Sequence, residues 1–117
     1  MEHKKGGCHC GAVRYEAAVD LTKEVLECNC SICAGKGLLL SFLPESQMTI
    51  ASGEDSLTEY RFNTEKIAHL FCKVCGTEVF GKGLDPEGRA TYAINVRTLD
   101  DVDLSTLSRM PYDGKAL

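Results

Sequence analysis

The sequence predicts an all-β fold class, with layered antiparallel sheets packed against each other. Two observations lead to this prediction. About eight short segments have the alternating or continuously apolar character of strands, and residues typical of turns separate them. A chain of 117 residues also has the length of one domain, so we expect residues 1–117 to form a single unit.

The first half of the chain is predicted to contain a leader followed by four strands. Residues 1–7 are polar and end in a Gly-Gly pair, so we expect a flexible leader that ends in a turn. Residues 13–19 alternate between apolar and polar side chains, which predicts a strand with one buried face. Three further strands are predicted over residues 25–28, 37–43 and 47–51, and Pro44 ends the second of them.

The second half is predicted to continue as strands and to end as irregular chain. Strands are predicted over residues 57–62, 67–71 and 91–96, with a hairpin connection at residues 63–66. We expect a turn at residues 85–88, a short helical turn within residues 100–107 and an irregular tail from Arg109. Aromatic side chains are expected in the core rather than at a ligand, namely Tyr15, Phe42, Tyr60, Phe62 and Phe80.

Charge and composition exclude several classes of partner. The formal net charge is −4, from 13 basic and 17 acidic residues, which argues against a nucleic-acid partner because phosphates require a basic surface. No segment resembles a signal peptide or approaches the ~20 apolar residues that span a bilayer, so we expect a cytoplasmic protein without a membrane partner. In the cytoplasm, seven cysteines would stay reduced or bind metal. Their odd number and close spacing oppose a disulfide framework.

The segment CNCSICAGKG carries three cysteines, Cys28, Cys30 and Cys33, within six positions. Tetrahedral zinc lies ~2.3 Å from each thiolate, so the sulfurs must approach one another to roughly 3.8 Å. In an extended segment Cys28 and Cys30 point to the same side, and a turn at residues 31 and 32 would return the third thiol to them. We therefore predict that this segment supplies three ligands to one metal ion.

The other four cysteines form two pairs, Cys8 with Cys10 and Cys72 with Cys75, and Gly76 permits the tight turn of a zinc knuckle. The seven cysteines therefore divide into a set of four and a set of three. A closed four-ligand zinc site is structural, whereas a three-ligand site keeps a position for water or substrate. Two alternatives stay open. Both metals serve only to stabilise a small domain, or the cysteines hold an iron–sulfur cluster, which usually needs four cysteines with other spacings.

Motifs at several separate places occur in a familiar order, from GCHCGAVRY through CNCSICAGKG and HLFCKVCGTEVF to AINVRTLDDVDL and PYDGKA. With them the chain resembles the glutathione-dependent formaldehyde-activating enzyme family (the GFA/CENP-V domain). The resemblance implies a β-tent fold of layered antiparallel sheets with two zinc ions bound by loops. It implies a structural zinc at Cys8, Cys10, Cys72 and Cys75, and a catalytic, labile zinc at Cys28, Cys30 and Cys33.

The resemblance also implies a carbon–sulfur lyase that forms or cleaves S-hydroxymethylglutathione, so that its partner is a small thiol adduct. Lys36, Lys73 and Arg97 are candidate cations beside the three thiolates, and His9 and His69 are candidate bases, although we expect surface or structural roles for all five. An alternative is a non-catalytic zinc-binding module that binds a protein, since related β-tent domains serve as chaperones or exchange factors for small GTPases. Chromatin association, as in one branch of the family, is opposed by the net charge of −4.

Overall fold

Two layered sheets and one short helix make up the computed structural model, which describes residues 2–61 and 67–113. The ten strands found in these residues are β1 (Glu2–Gly7), β2 (Arg14–Val19), β3 (Val25–Cys28), β4 (Leu40–Pro44), β5 (Met48–Ser52), β6 (Leu57–Tyr60), β7 (Ala68–Cys72), β8 (Glu78–Leu84), β9 (Ala90–Asn95) and β10 (Arg109–Tyr112). The helix is α1 (Ser31–Lys36), and short 3-10 turns lie at Glu45–Gln47, Glu54–Ser56, Val96–Thr98 and Leu104–Thr106. The predicted all-β class is confirmed.

The small sheet has the strand order β1-β2-β5, and the large sheet has the order β10-β3-β4-β9-β8-β7-β6. Neighbouring strands are antiparallel except for β10 and β3. Strand β9 pairs with β4 on one side and with β8 on the other. Strand β9 therefore lies between β3 and β4, the strands on either side of α1 in the sequence, and the group β8, β7 and β6, in which β7 ends at Cys72.

The core lies between the sheets and is centred on aromatic rings. Phe80 packs edge-on against Tyr15 and Tyr92, with ring centroids 5.6 Å and 5.2 Å apart. The apolar face predicted for residues 13–19 is confirmed, because its side chains are buried. The prediction was wrong for Phe42 and Tyr60, which are 55% and 50% exposed. Phe42 lies on the outer face of β4, whereas its neighbour Leu43 faces the core.

The flexible leader expected at residues 1–7 is wrong, because residues 2–7 form β1. This strand pairs with β2 along its whole length, from Glu2 opposite Val19 to Gly7 opposite Arg14. The backbone amide of Asp100 also donates to the carbonyl oxygen of Lys5, at 2.8 Å. Lysine and other polar residues suit the exposed edge of a sheet. The same composition that suggested a leader therefore belongs to an edge strand.

The tail was expected to be irregular from Arg109, and this is wrong for residues 109–112, whereas residues 114–117 lie outside the described residues. Residues 109–112 form β10, which pairs in parallel with β3, from Arg109 opposite Val25 to Tyr112 opposite Cys28. The Arg109 guanidinium donates to Glu27 at 3.0 Å across this pair. All four side chains of β10 are exposed, so the strand has no apolar face that a sequence pattern would show.

Several predicted boundaries shift by a few residues. The strand expected at residues 37–43 begins at Leu40, and the segment that leads out of the knuckle continues as β8 to Leu84. The helical turn expected within residues 100–107 is the 3-10 turn Leu104–Thr106, in which the amide of Ser105 donates to the Asp103 side chain at 3.0 Å. The predicted hairpin connection at residues 63–66 and the aromatic Phe62 lie outside the described residues. No helix within the described ranges is long and apolar enough to cross a membrane.

Candidate metal centres

The first pair of cysteines lies in the turn between β1 and β2. The backbone amide of Cys8 donates to the carbonyl oxygen of Val13 at 3.1 Å, and the amide of Gly11 donates to that of Cys8 at 3.2 Å. Gly11 has φ 81°, a left-handed conformation that glycine adopts without steric cost. The turn is closed tightly enough for Cys8 and Cys10 to place their sulfurs 3.6 Å apart.

The second pair lies at the end of β7, in the knuckle that the sequence predicted. The amide of Gly76 donates to the carbonyl oxygen of Cys72 at 2.7 Å, and the amide of Cys72 donates to Thr77 at 3.0 Å. Gly76 has φ 83°, as the tight turn requires. The amide of Val74 points at the Cys72 sulfur from 3.4 Å, so the knuckle directs a backbone dipole at a thiolate.

The structure brings the two pairs together. The four sulfurs lie within 4.8 Å of one another, and those of Cys10 and Cys72 are 3.7 Å apart although 62 positions separate them in the chain. These separations match the roughly 3.8 Å between thiolates around tetrahedral zinc. Four sulfur donors with an amide directed at Cys8 from Val13, at 3.3 Å, fit a structural zinc site.

The thiols of this four-cysteine cluster differ in acidity. Hydrogen bonds from the side chain and backbone of Thr77 lower the pKa of Cys75 to about 5. An amide hydrogen bond from Ala12 lowers the pKa of Cys10, but desolvation and the three neighbouring sulfurs outweigh it and raise the value to about 11. Negative charges this close oppose one another, so four thiolates need a cation among them.

The three cysteines of the CNCSIC segment also converge. Cys28 ends β3, Cys30 is the N-cap residue of α1, and Cys33 lies within the helix. Their sulfurs lie within 4.8 Å of one another, and the amide of Cys30 donates to the Cys28 sulfur at 3.4 Å. A turn was predicted at residues 31 and 32. The chain instead makes a six-residue helix there, which ends at Gly37 with φ 66°.

Within this three-cysteine cluster, the thiols of Cys30 and Cys33 differ in acidity. Burial and the sulfurs of Cys30 and Cys28 raise the pKa of the Cys33 thiol. Burial also acts to raise the pKa of Cys30, but hydrogen bonds from the amide of Cys33 and from both neighbouring thiols outweigh it and lower the value. Within residues 2–61 and 67–113, no further histidine, cysteine or carboxylate ligand atom joins the cluster. Three sulfur donors without a fourth protein ligand among the described residues suit an open metal site.

A cavity of about 500 Å³ adjoins the three-cysteine cluster. Its walls come from the end of β3, the helix α1, the start of the loop after α1, the 3-10 turn after β9, and β10 with the residue that follows it. Cys28 and Cys33 both line it, so a molecule in the cavity touches the cluster. A volume of several hundred cubic ångströms is typical of small-molecule sites.

The sequence pattern did not indicate the role of Glu78, whose side chain links α1 to β7. Its side chain is only 2% exposed, and its two carboxylate oxygens bond separate partners. Lys36 of α1 donates to one oxygen at 2.9 Å, and the Nδ1 atom of His69 lies 3.0 Å from the other. A buried carboxylate needs such partners. No signal in the sequence separates Glu78 from an exposed glutamate, since its partners lie 42 and 9 positions away.

The candidate cations and bases fall into different places. Lys36 is bound to Glu78 and also lies over the ring of Phe71, with its nitrogen 4.8 Å from the centroid. His69 is buried beside Glu78, in the structural role expected for it, and His9 and Lys73 are exposed. Arg97 lies beside the cavity and donates from Nε to the carbonyl oxygen of Gly37 at 2.8 Å.

Comparisons with known proteins agree with this geometry. A family model described as glutathione-dependent formaldehyde-activating enzyme matches residues 3–111, a range that contains all seven cysteines. Among solved structures, the crystal structure of a Rhodobacter sphaeroides protein has a TM-score of 0.79 and 30% sequence identity to this chain. That match covers 92% of this chain and 97% of the other. The chain belongs to the glutathione-dependent formaldehyde-activating enzyme family.

Proposed function

We propose that this chain is a zinc-dependent enzyme of the carbon–sulfur lyase type that forms or cleaves S-hydroxymethylglutathione, the adduct of glutathione and formaldehyde. The observation that carries the proposal is the three-cysteine cluster, two of whose residues, Cys28 and Cys33, line a cavity of about 500 Å³. Membership of a family named for glutathione and formaldehyde supports the same substrate class.

Two zinc sites follow from the two clusters. Cys8, Cys10, Cys72 and Cys75 would hold a structural ion, and the other three cysteines a second, exchangeable ion. Donor sets made only of sulfur favour zinc over magnesium or calcium, which prefer oxygen. Zinc, when bound, lowers the pKa of a thiol and withdraws electrons from a carbonyl oxygen.

The chain's own residues would bind the adduct and hold its reacting end at the cluster. In the forming direction, the glutathione sulfur attacks the carbonyl carbon of formaldehyde, so that a carbon–sulfur bond forms as the carbon–oxygen π bond breaks. The proton lost by the thiol is balanced by a proton gained by the carbonyl oxygen, which becomes the hydroxyl. The reverse reaction breaks the same bond and needs no oxidant or reductant. Cys28 and Cys33 line the cavity, so the sulfur of a bound adduct would lie beside them.

The seven cysteines are all free of disulfides, which suits a reducing compartment, and we place the reaction in the cytoplasm. The proposed partner is a small thiol adduct, with neither nucleic acid nor membrane required. A non-catalytic zinc module of the same fold needs only the four-cysteine cluster. The retained three-cysteine cluster is therefore what separates the two functions.

The test measures zinc per chain before and after incubation with glutathione, in the wild type and in two matched variants. We expect about two zinc ions in the wild type, falling toward one with glutathione because the open site exchanges. Cys30→Ser should keep about one ion and its fold, and should no longer accelerate adduct formation, followed by NMR exchange between free and adduct glutathione. Cys72→Ser should lose the structural ion and on the order of 5 kcal/mol of stability.

Two results would contradict the proposal. If Cys30→Ser formed the adduct at the wild-type rate, the three-cysteine cluster would not be the reaction site and the non-catalytic module would be favoured. If Cys30→Ser unfolded as Cys72→Ser does, both clusters would be structural.

A further inference from the structure

In the part of the chain that the structure describes, the cavity beside the three-cysteine cluster is lined by one cation and two carboxylates. Among its described lining residues, Arg97 is the only cation, and Glu27 and Asp113 are the acidic groups. Glu27 accepts from Arg109 at 3.0 Å, and Asp113 accepts from the side-chain amide of Asn29 at 2.9 Å. Glu27 is therefore paired with a cation and Asp113 is hydrogen-bonded to a neutral amide, whereas Arg97 is paired with no carboxylate among the described residues, so its positive charge can attract an anionic ligand.

Hydrogen bonds involve both the backbone amide and the Nε atom of Arg97. Its backbone amide donates to the Oδ1 atom of Asn95 at 3.2 Å, and the Nδ2 atom of Asn95 donates to the backbone oxygen of Glu78 at 2.9 Å. Asn95 is itself buried. The Nε atom of Arg97 donates to the carbonyl oxygen of Gly37, at the end of the helix that carries Cys33. Arg97 is exposed, and this bond favours an orientation in which the rest of its guanidinium is accessible to a ligand.

The outer end of the guanidinium is available. Neither Nη1 nor Nη2 of Arg97 has a hydrogen-bond or ion-pair partner in the part of the chain that the structure describes. Arginine binds carboxylates through two parallel N–H donors, and a pre-oriented guanidinium loses little side-chain freedom when it does so. Such a group beside a thiol-binding cluster fits a ligand that carries both a sulfur and a carboxylate.

We propose that Arg97 is the specificity-determining residue of the cavity and that it binds a carboxylate of the thiol adduct while the sulfur lies at the three-cysteine cluster. This inference rests on the proposed function and adds to it a selection rule. Thiols that carry a carboxylate are accepted, and neutral thiols of similar reactivity are bound weakly. The contact is made by the ligand's charge, so it does not depend on the chemistry at the sulfur.

The test compares binding of glutathione, glutathione diethyl ester and 2-mercaptoethanol to the zinc-loaded protein by calorimetry, with zinc per chain measured before and after each titration so that loss of the second ion is not counted as thiol binding. In the wild type, the diester should bind about tenfold to a hundredfold more weakly than glutathione, the range expected for loss of a charged hydrogen bond. Arg97→Gln should weaken glutathione binding by a similar factor and leave 2-mercaptoethanol within about twofold. Arg89→Gln removes the same charge from an exposed turn and should change none of the three affinities.

The outcomes separate this inference from the function on which it rests. If the wild type binds glutathione and Arg97→Gln binds it equally well, Arg97 is not the anchor although the proposed function stands. If Arg97→Gln weakens glutathione and 2-mercaptoethanol equally, Arg97 acts only by holding the loop at Gly37, and the inference is overturned. If Arg97→Gln does not fold, the wild-type preference for glutathione over its diester decides, and equal affinities refute the anchor. A wild type that binds no thiol would overturn both proposals.

Discussion

The buried carboxylate of Glu78 gives the sharpest prediction about what stabilises this fold. Its two oxygens bind Lys36 of α1 and His69 of β7, and its backbone oxygen accepts from Asn95 of β9. One residue thus connects the helix of the three-cysteine cluster to the strand that ends at Cys72. Replacing Glu78 with glutamine keeps the size of the side chain and removes its charge.

The expected cost follows from burial. Removing one partner of a buried ion pair costs about 3–5 kcal/mol, because the other charge is left uncompensated. Lys36 is 33% exposed and can turn toward water, which reduces that cost. We therefore expect Glu78→Gln to lower the free energy of unfolding by about 2–3 kcal/mol. For a chain of this length, that corresponds to a fall of about 10 °C in the melting temperature.

The assay is urea unfolding with both proteins fully loaded with zinc, so that a change in metal content is not mistaken for a change in packing. Glu45→Gln is the matched control, since Glu45 pairs with Lys82 at 3.1 Å but both side chains are about half exposed, at 55% and 43%. An exposed pair contributes about 0–1 kcal/mol. A double-mutant cycle with Lys36→Met isolates the pair itself and should give a coupling energy above about 1 kcal/mol.

One result would refute this reasoning. If Glu78→Gln and Glu45→Gln lowered the free energy of unfolding by the same amount, the buried charge would contribute no more than a surface one. The connection between α1 and β7 would then depend on contacts other than the buried carboxylate, such as the cation–π contact of Lys36 with Phe71.

Two further predictions test the small sheet. Gly6→Ala would place a Cβ 2.6 Å from the backbone oxygen of Thr98, so it should lower the free energy of unfolding by about 1–3 kcal/mol. In the control Gly35→Ala, the new Cβ meets no atom within 4 Å, so thermal unfolding should show no destabilisation. Equal melting temperatures for the two variants would mean that β1 is not packed. Burial raises the pKa of Tyr15 to about 12, so the unfolded chain loses this proton first, near pH 10, and stability should fall by about 2–3 kcal/mol between pH 10 and 12. Tyr15→Phe should lack that fall, and an identical pH profile would show that the pKa of Tyr15 is not raised in the folded chain.

The features that could be predicted from the sequence are those set by near neighbours in the chain. The alternation of residues 13–19 reports one buried face of β2, and the glycine after Cys75 reports a left-handed turn, which is present at φ 83°. The grouping of the cysteines follows from ligand spacing in the same way. In the structure, the sulfurs within each of the two clusters lie close to one another. That Cys8 and Cys10 share a cluster with Cys72 and Cys75 was implied only by the family resemblance.

The features that the sequence did not reveal depend on distant partners. Strands β1 and β10 lie at sheet edges and carry mostly exposed side chains, so neither has an apolar face that a pattern would detect. Helix α1 is six residues long and contains Gly35, so it lacks the periodicity of a longer helix. The partners of Glu78 come from other elements, and the free end of Arg97 becomes notable only once the cavity is formed.

The distance along the chain between ligands explains why two cysteine clusters can have different roles. The four-cysteine cluster joins segments 62 positions apart, so a metal there holds together two hairpins and opposes unfolding of both. The three-cysteine cluster spans six consecutive positions, from Cys28 to Cys33, so a metal there closes only a short loop. Loss of the second metal should therefore cost far less stability than loss of the first. A metal held by three ligands of one short segment would leave its fourth position open, and the ligand there could exchange without disturbing the rest of the fold, as the proposed reaction requires.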